Sequence, residues 1–159
     1  MNIDKSKAKT YGISLAIALG AGVLSALFTS MGMERYAMAE KPALTPPDIV
    51  FPIVWTILFT LMGISAARVW IVSDMKEKNG GLLLYLLQLG ANFIWSLLFF
   101  NLQAYGFAFF WILLLWALIL LMIISFGKTD KIAAYLQIPY ILWVTFAAYL
   151  NFMVWMLNK

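Results

Sequence analysis

The chain contains no cysteine and no histidine. The first absence rules out a disulfide framework and thiolate chemistry. The second removes the commonest metal ligand, the usual axial ligand of haem iron, and the side chain best suited to moving protons near neutral pH, so no metal site is expected. Charge is scarce as well. Only 11% of the residues are Asp, Glu, Lys or Arg and 64% are hydrophobic, against about 25% and about 45–50% in a soluble domain. Residues 10–33, 49–67, 79–127 and 132–158 carry no charged side chain at all. All 7 acids (Asp4, Glu34, Glu40, Asp48, Asp74, Glu77 and Asp130) lie outside those stretches. A carrier driven by protons or cations ordinarily needs an ionisable group within the membrane. An ion-coupled pump and ordinary acid–base catalysis are therefore both disfavoured.

What is present is apolar length. A spanning helix needs roughly 20 apolar residues, at about 1.5 Å each, to cross a hydrocarbon core of about 30 Å. Three of the charge-free stretches hold one span each; residues 79–127 are too long for one and must hold two. The sequence predicts an all-α integral membrane protein, a five-transmembrane-helix bundle forming a single domain over residues 1–159. Its helices are expected at 11–32, 50–72, 82–102, 107–126 and 132–157. The longest connection, residues 34–48, includes "EKPALTPPD", where Pro42, Pro46 and Pro47 deny the backbone the donors a helix needs. It is the connection expected to fold over the bundle as a lid.

Lys5, Lys7, Lys9, Lys76, Lys78, Lys128 and Lys131 fall on the side of the N-terminus, whereas Arg35, Lys41 and Lys159 fall on the other. The positive-inside rule then puts the N-terminus in the cytoplasm of a bacterial cell membrane and the proline-rich loop outside. The net charge of +4 follows from this topology and indicates no nucleic-acid partner. Arg68, near the end of helix 2, is expected to snorkel to the interface. Helix 1 carries two offset series of small residues, Gly12, Ala16, Gly20 and Ala18, Gly22, Ala26. Such stripes let helix backbones approach closely in lipid. They serve either packing inside one bundle or a homodimer face, with Ala16, Ala18, Gly20, Gly22 and Ala26 as interface candidates. The lysines ahead of helix 1 and Ala37-Met38-Ala39 after it resemble a signal peptide, but the apolar run exceeds an h-region of about 7–15 residues.

The remaining chemistry is aromatic and amide. Helix 3 places Gln88, Asn92 and Ser96 on one face with Trp95 alongside. Polar groups in lipid must face a partner helix or a cavity. Helix 2 repeats the spacing with Phe51, Trp55, Phe59 and Gly63, and helix 5 with Pro139, Trp143, Ala147, Asn151 and Trp155. Helix 4 has Trp111 and Trp116 but almost nothing polar, and reads as filler and lipid contact. Tryptophans at span ends, Trp70 and Trp155, are interfacial anchors. Trp95 and Trp143 lie too deep for that. A largely apolar cavity with few polar groups is the form of a ligand site, here suited to a flat, hydrophobic, aromatic molecule. The role of Asn151, ligand contact or packing, stays open.

Three segments, "KPALTPPDIVFPIVWTILF", "QLGANFIWSLLFF" and "IPYILWVTFAAYLN", resemble in order the signature segments of the TspO/MBR family. The resemblance implies a five-helix bundle, commonly dimeric, that needs no cofactor and binds a protoporphyrin IX-like tetrapyrrole or synthetic aromatic ligands beneath the first loop. It implies a pocket of Trp55, Asn92, Trp95, Trp143 and Ala147, with Tyr36, Pro46 and Pro47 from the loop; Phe51 and Asn151 join it from the helical spacing. Members have been linked to tetrapyrrole sensing, transport or breakdown, and in mitochondria to cholesterol. In the breakdown reading, driven by light and oxygen, Trp55 and Trp143 are the catalytic pair; in the transport reading the chain is a facilitated carrier. This chain departs from the family pattern at Leu44 and Ile49, where many relatives have Trp, and at Arg35-Tyr36 in place of Trp-Tyr. The sterol motif needs a Tyr with Lys or Arg within about five residues. Here Phe152 stands at that place and Lys159 lies beyond reach, so sterol binding is not expected.

Overall fold

Apolar length and proline placement set the helix boundaries. The protein's structure, a computed structural model, describes the backbone of residues 2–73 and 75–159 and the side chains of 4–73 and 80–159. Asp74 and the side chains of Lys76, Glu77 and Lys78, named above among the acids and the topology-setting lysines, lie outside the described residues. The helices are α1 (Asn2–Ala37), α2 (Val50–Val72), α3 (Met75–Ser96), α4 (Tyr105–Thr129), α5 (Lys131–Tyr135) and α6 (Ile138–Leu157), and α3 continues as a π-helical turn over Leu97–Asn101. Five of the resulting helical segments are long and apolar enough to cross a membrane, α5 and α6 together making the fifth.

Several boundaries differ from expectation. α1 has 36 residues rather than the span 11–32, about 54 Å at 1.5 Å each. No proline interrupts it, and Lys and Ala ahead of the apolar run are good helix formers. α3 begins at Met75, not 82, and runs through Gly81. A Cβ on Gly81 would come within 3.0 Å of Ser125 Oγ and 3.2 Å of the Phe126 ring, so its bare backbone lets α3 and α4 meet. The fifth span breaks at residues 136–137 instead of running unbroken over 132–157. Pro139 has no N–H and sits in the first turn of α6, where that donor is not needed. Asp130 caps α5, its carboxylate accepting from Ile132 N at 2.8 Å and Ala133 N at 3.2 Å.

α4 corrects the reading of filler. Ala108, Ile112, Leu115, Ile119, Met122 and Phe126 are each at most 1% exposed, and their alternating spacing of four and three makes one continuous stripe. α4 is the packing column of the bundle, and only its opposite face, with Phe107, Phe110 and Leu121, is exposed. Its tryptophans bind neighbouring helices: Trp111 Nε1 donates to Ala91 O at 2.8 Å and Trp116 Nε1 to Thr145 Oγ1 at 2.9 Å.

The two small-residue series of α1 separate. Ala18 is fully buried, a Cβ on Gly22 would sit 2.6 Å from the Phe59 ring, and Ala26 lies along a cavity. Ala18 therefore serves packing within the protomer, and Gly22 lies against Phe59 of α2. Ala16 is exposed, and Cβ atoms on Gly12 and Gly20 would meet nothing within 4 Å.

α2 and the fifth span are pinned at one end. Ser65 Oγ donates to Ala133 O at 2.7 Å, and Arg68 Nε lies 2.8 Å from Asp130 Oδ2. Arg68 thus pairs with Asp130 instead of simply snorkelling. Beyond the break before Pro139 the two helices diverge, which opens space between them. Asp130→Ala is expected to destabilise the bundle by about 2–4 kcal/mol. About 1 comes from the lost cap; the rest, about 1–3, falls short of the about 3–5 kcal/mol for breaking a fully buried pair because the Arg68 side chain is 30% exposed. Thermal unfolding should fall by roughly 5–15 °C. Asp130→Asn, which keeps the cap, should lose about half as much; equal losses would contradict the pairing role.

Candidate ligand-binding cavity

The divergence of α2 from α6 leaves a cavity of about 330 Å³ bounded by α1, α2, α3 with its π-turn, and α6. Side chains one helical turn apart on α2 supply Phe51, Trp55 and Phe59. α3 supplies Asn92, Trp95 and Ser96, and α6 supplies Trp143, Ala147, Leu150 and Asn151. The π-turn adds one residue to the helical period, which brings the consecutive Phe99 and Phe100 both to the wall. Such single turns recur at functional sites. α1 closes the remaining side with Ser25, Thr29, Met33 and Tyr36.

The polar groups are committed to one another. Trp95 Nε1 donates to Asn151 Oδ1 at 3.0 Å, and Asn151 Nδ2 donates to Tyr105 O at 2.8 Å. Asn151 is fully buried, which gives it a packing role, and it also borders the cavity. Asn92 Nδ2 donates to Tyr140 Oη at 3.0 Å, and Tyr140 donates to Gln88 Oε1 at 2.6 Å. Gln88 is fully buried and not at the wall, so the polar face of α3 divides between packing and lining. Tyr140, fully buried under Trp55 at 6.2 Å between ring centroids, is the centre of this network and was not singled out from sequence. Its signal lay in the spacing Tyr140, Val144, Ala147, Asn151, Val154, all buried.

The aromatic wall is continuous. Trp95 stacks on Phe99 at 5.4 Å, Tyr36 packs on Phe99 at 5.2 Å and Phe100 at 5.3 Å, and Trp143 meets Phe51 edge-on at 5.9 Å. Of the residues expected at a ligand site, Tyr36, Phe51, Trp55, Asn92, Trp95, Trp143, Ala147 and Asn151 converge here. Pro46 and Pro47 do not reach the cavity; Pro46 is half-buried and Pro47 exposed. Asp48 lines the mouth in their place. Leu44 and Ile49 are 65% and 66% exposed, so the positions that depart from the family pattern contribute no wall. The loop does cross the end of the bundle: Glu40 N donates to Asn158 Oδ1 at 3.1 Å and Asn158 Nδ2 donates to Glu40 O at 2.9 Å. Lys41 Nζ lies 4.7 Å from the Tyr36 ring centroid, on the lid side. Of the helix 5 stripe, Trp143, Ala147 and Asn151 face the cavity. Pro139 is exposed, and Trp155 packs instead on Phe109 and Phe110 at 6.1 Å each.

A profile of the TspO/MBR family matches residues 13–156, all five spans and the lid included. The chain belongs to the TspO/MBR family. It is 38% identical over 151 residues to the tryptophan-rich protein TspO of Chlorobaculum tepidum, covering 94% of this chain and 96% of that protein. Protein CrtK of Rhodobacter capsulatus is 34% identical over 142 residues, covering 87% and 86%. The human translocator protein is 32% identical over 151 residues, covering 91% and 86%. As a TspO/MBR protein the chain is a multi-pass membrane protein with a five-helix bundle. The cavity's chemistry within that frame is narrow. Among the described residues Asp48 is the one charged group in its lining, so these offer aromatic faces, a few amide and hydroxyl groups, and no acid–base pair.

Proposed function

We propose that this TspO/MBR protein binds porphyrin-type tetrapyrroles in the cavity between α2 and α6, for sensing, transport or turnover. The supporting observation is a largely apolar cavity of about 330 Å³ walled by Trp55, Trp95 and Trp143. That volume is at the lower end of small-molecule sites, and the indole faces favour a planar aromatic ligand. The amide of Asn92 supplies a polar contact, and the loop carrying Lys41 closes over the ligand. A relative in Cereibacter sphaeroides is named a tryptophan-rich sensory protein and the human one a translocator protein, names that fit sensing and transport respectively. Titration with protoporphyrin IX should quench tryptophan fluorescence saturably. Tight haem binding without quenching by the metal-free porphyrin would sink the reading.

Asp48 at the mouth repels a carboxylated ligand. Asp48→Asn should therefore tighten protoporphyrin binding two- to fivefold, the equivalent of roughly 0.5–1 kcal/mol for charges about 8 Å apart in water. The gain should shrink at high salt. A dissociation constant within twofold of wild type would mean that the carboxylates stay away from the mouth.

A second reading is breakdown of the porphyrin by light and oxygen, with oxygen as the oxidant and Trp55 and Trp143 as redox partners. It is favoured by the placement of both indoles on the wall where a macrocycle would lie. Trp143→Phe should then end product formation and retain most binding; undiminished turnover would refute it.

Orientation and assembly extend the proposal. The N-terminus lies in the cytoplasm of a bacterial cell membrane, the lid faces outward, and two copies meet along Gly12, Ala16 and Gly20 of α1. In a chain without native cysteine, Ala16→Cys should oxidise to a linked pair in vesicles; monomer alone would exclude this face.

A further inference from the structure

The backbones of α2 and the fifth span come close at one end only. The α5 end is held by Ser65 with Ala133 and Arg68 with Asp130. Along α6 the two backbones make almost no close approach, and the seam is closed by side chains. On its outer side lies a second groove, of about 390 Å³, lined only by apolar residues of α2 and α6. Ile57 and Leu142 of this groove are 54% and 63% exposed, at the depth of the membrane-spanning segments. Among the described residues, Trp143 alone lines both the groove and the ligand cavity. At this seam the indole of Trp143 stands between the cavity and the outer groove.

That indole is held differently from three others. Trp95, Trp111 and Trp116 have their N–H groups bonded. Trp143 is half-buried and held by ring contacts, with Phe51 at 5.9 Å and Phe146 at 5.6 Å. Ring contacts tolerate a change of rotamer that a buried directional bond resists. The lid end of the cavity is the opposite case: the charged Asp48 stands at its mouth, beside buried Tyr36, and the tether between Glu40 and Asn158 crosses the end of the bundle. An apolar ligand dissolved in the bilayer reaches the seam without passing any charge.

We propose that the seam between α2 and α6 is the lateral entry route from the bilayer, that Trp143 is the movable partition, and that a lipid acyl chain fills the outer groove at rest. The route rests on the reading that the cavity takes a membrane-soluble ligand. The test uses the full chain in lipid vesicles, with single cysteines in the natively cysteine-free sequence. Ile57→Cys or Leu142→Cys carries a bulky maleimide, and Leu121→Cys, exposed on α4, carries the same label as control. With protoporphyrin IX preloaded in the bilayer, a seam label should slow association and dissociation at least tenfold and leave the dissociation constant within twofold. The Leu121 label should change neither. Unchanged rates with the seam labels overturn the route. A second arm needs no porphyrin: acyl-chain-brominated phosphatidylcholine should quench a larger share of tryptophan fluorescence in wild type than in Trp143→Phe. Equal shares overturn the proposal even where porphyrin fails to bind, an outcome that by itself removes only the proposed ligand.

Discussion

Ala147→Phe is expected to abolish ligand binding while the bundle stays folded. Ala147 sits on α6 between Trp143 and Asn151, 9% exposed, with its methyl at the cavity wall. A phenyl ring there projects into the about 330 Å³ that a planar ligand would fill. Protoporphyrin affinity should fall by at least about 100-fold, or about 2.8 kcal/mol. Overfilling a packed core typically costs about 1–3 kcal/mol. Here the ring has empty space to enter, so unfolding should move by only a few degrees. Fluorescence quenching and thermal unfolding of the same sample separate the two effects. Retained affinity would place the ligand elsewhere. A collapse of stability would mean that the cavity is closed to a new ring.

Asn151→Leu should do the reverse and weaken the fold itself. One buried amide joins α6 to α3 through Trp95 and to the start of α4 through Tyr105 O. Leucine of similar size orphans a donor and an acceptor where water is scarce. Leaving a buried group unsatisfied costs about 1–3 kcal/mol, but interhelical hydrogen bonds in membranes average only about 0.6 kcal/mol, with a maximum near 1.7. Two bonds lost together then amount to about 2–3 kcal/mol. The expected fall in melting temperature is roughly 5–10 °C. Thr145→Val, which removes the partner of Trp116 at an exposed position, is the comparison and should cost under about 1 kcal/mol. Equal losses in the two variants would show that burial of the Asn151 amide is irrelevant.

The helix 5 stripe shows where sequence reading stops. A step of four residues turns 400°, so Pro139, Trp143, Ala147, Asn151 and Trp155 drift around the helix. Its middle reaches the cavity while Pro139 ends up exposed and Trp155 packs on α4. The interior face alternates steps of four and three through Tyr140, Val144, Ala147, Asn151 and Val154. That pattern was open to inspection. Phe99 and Phe100 were not: they stand at the wall on the π-turn, which shifts the helical register and which no residue pattern announces.

By itself the sequence determined the spans, the bundle class, the family and the tryptophan and amide part of the cavity wall. Lipid accounts for that legibility. With no water to satisfy the backbone, apolar length forces a helix, and any amide or deep indole within one must face inward. Tertiary structure alone decided what those inward groups do. Asn92 and Asn151 are bonded to Tyr140, Trp95 and Tyr105, which come from distant segments. Arg68 meets Asp130, Ala18 is buried inside the protomer, and Gly22 lies against Phe59. The cavity itself arises because α2 and α6 are pinned at one end and diverge at the other. Such divergence depends on how whole helices tilt against one another, and no local pattern of residues encodes a tilt.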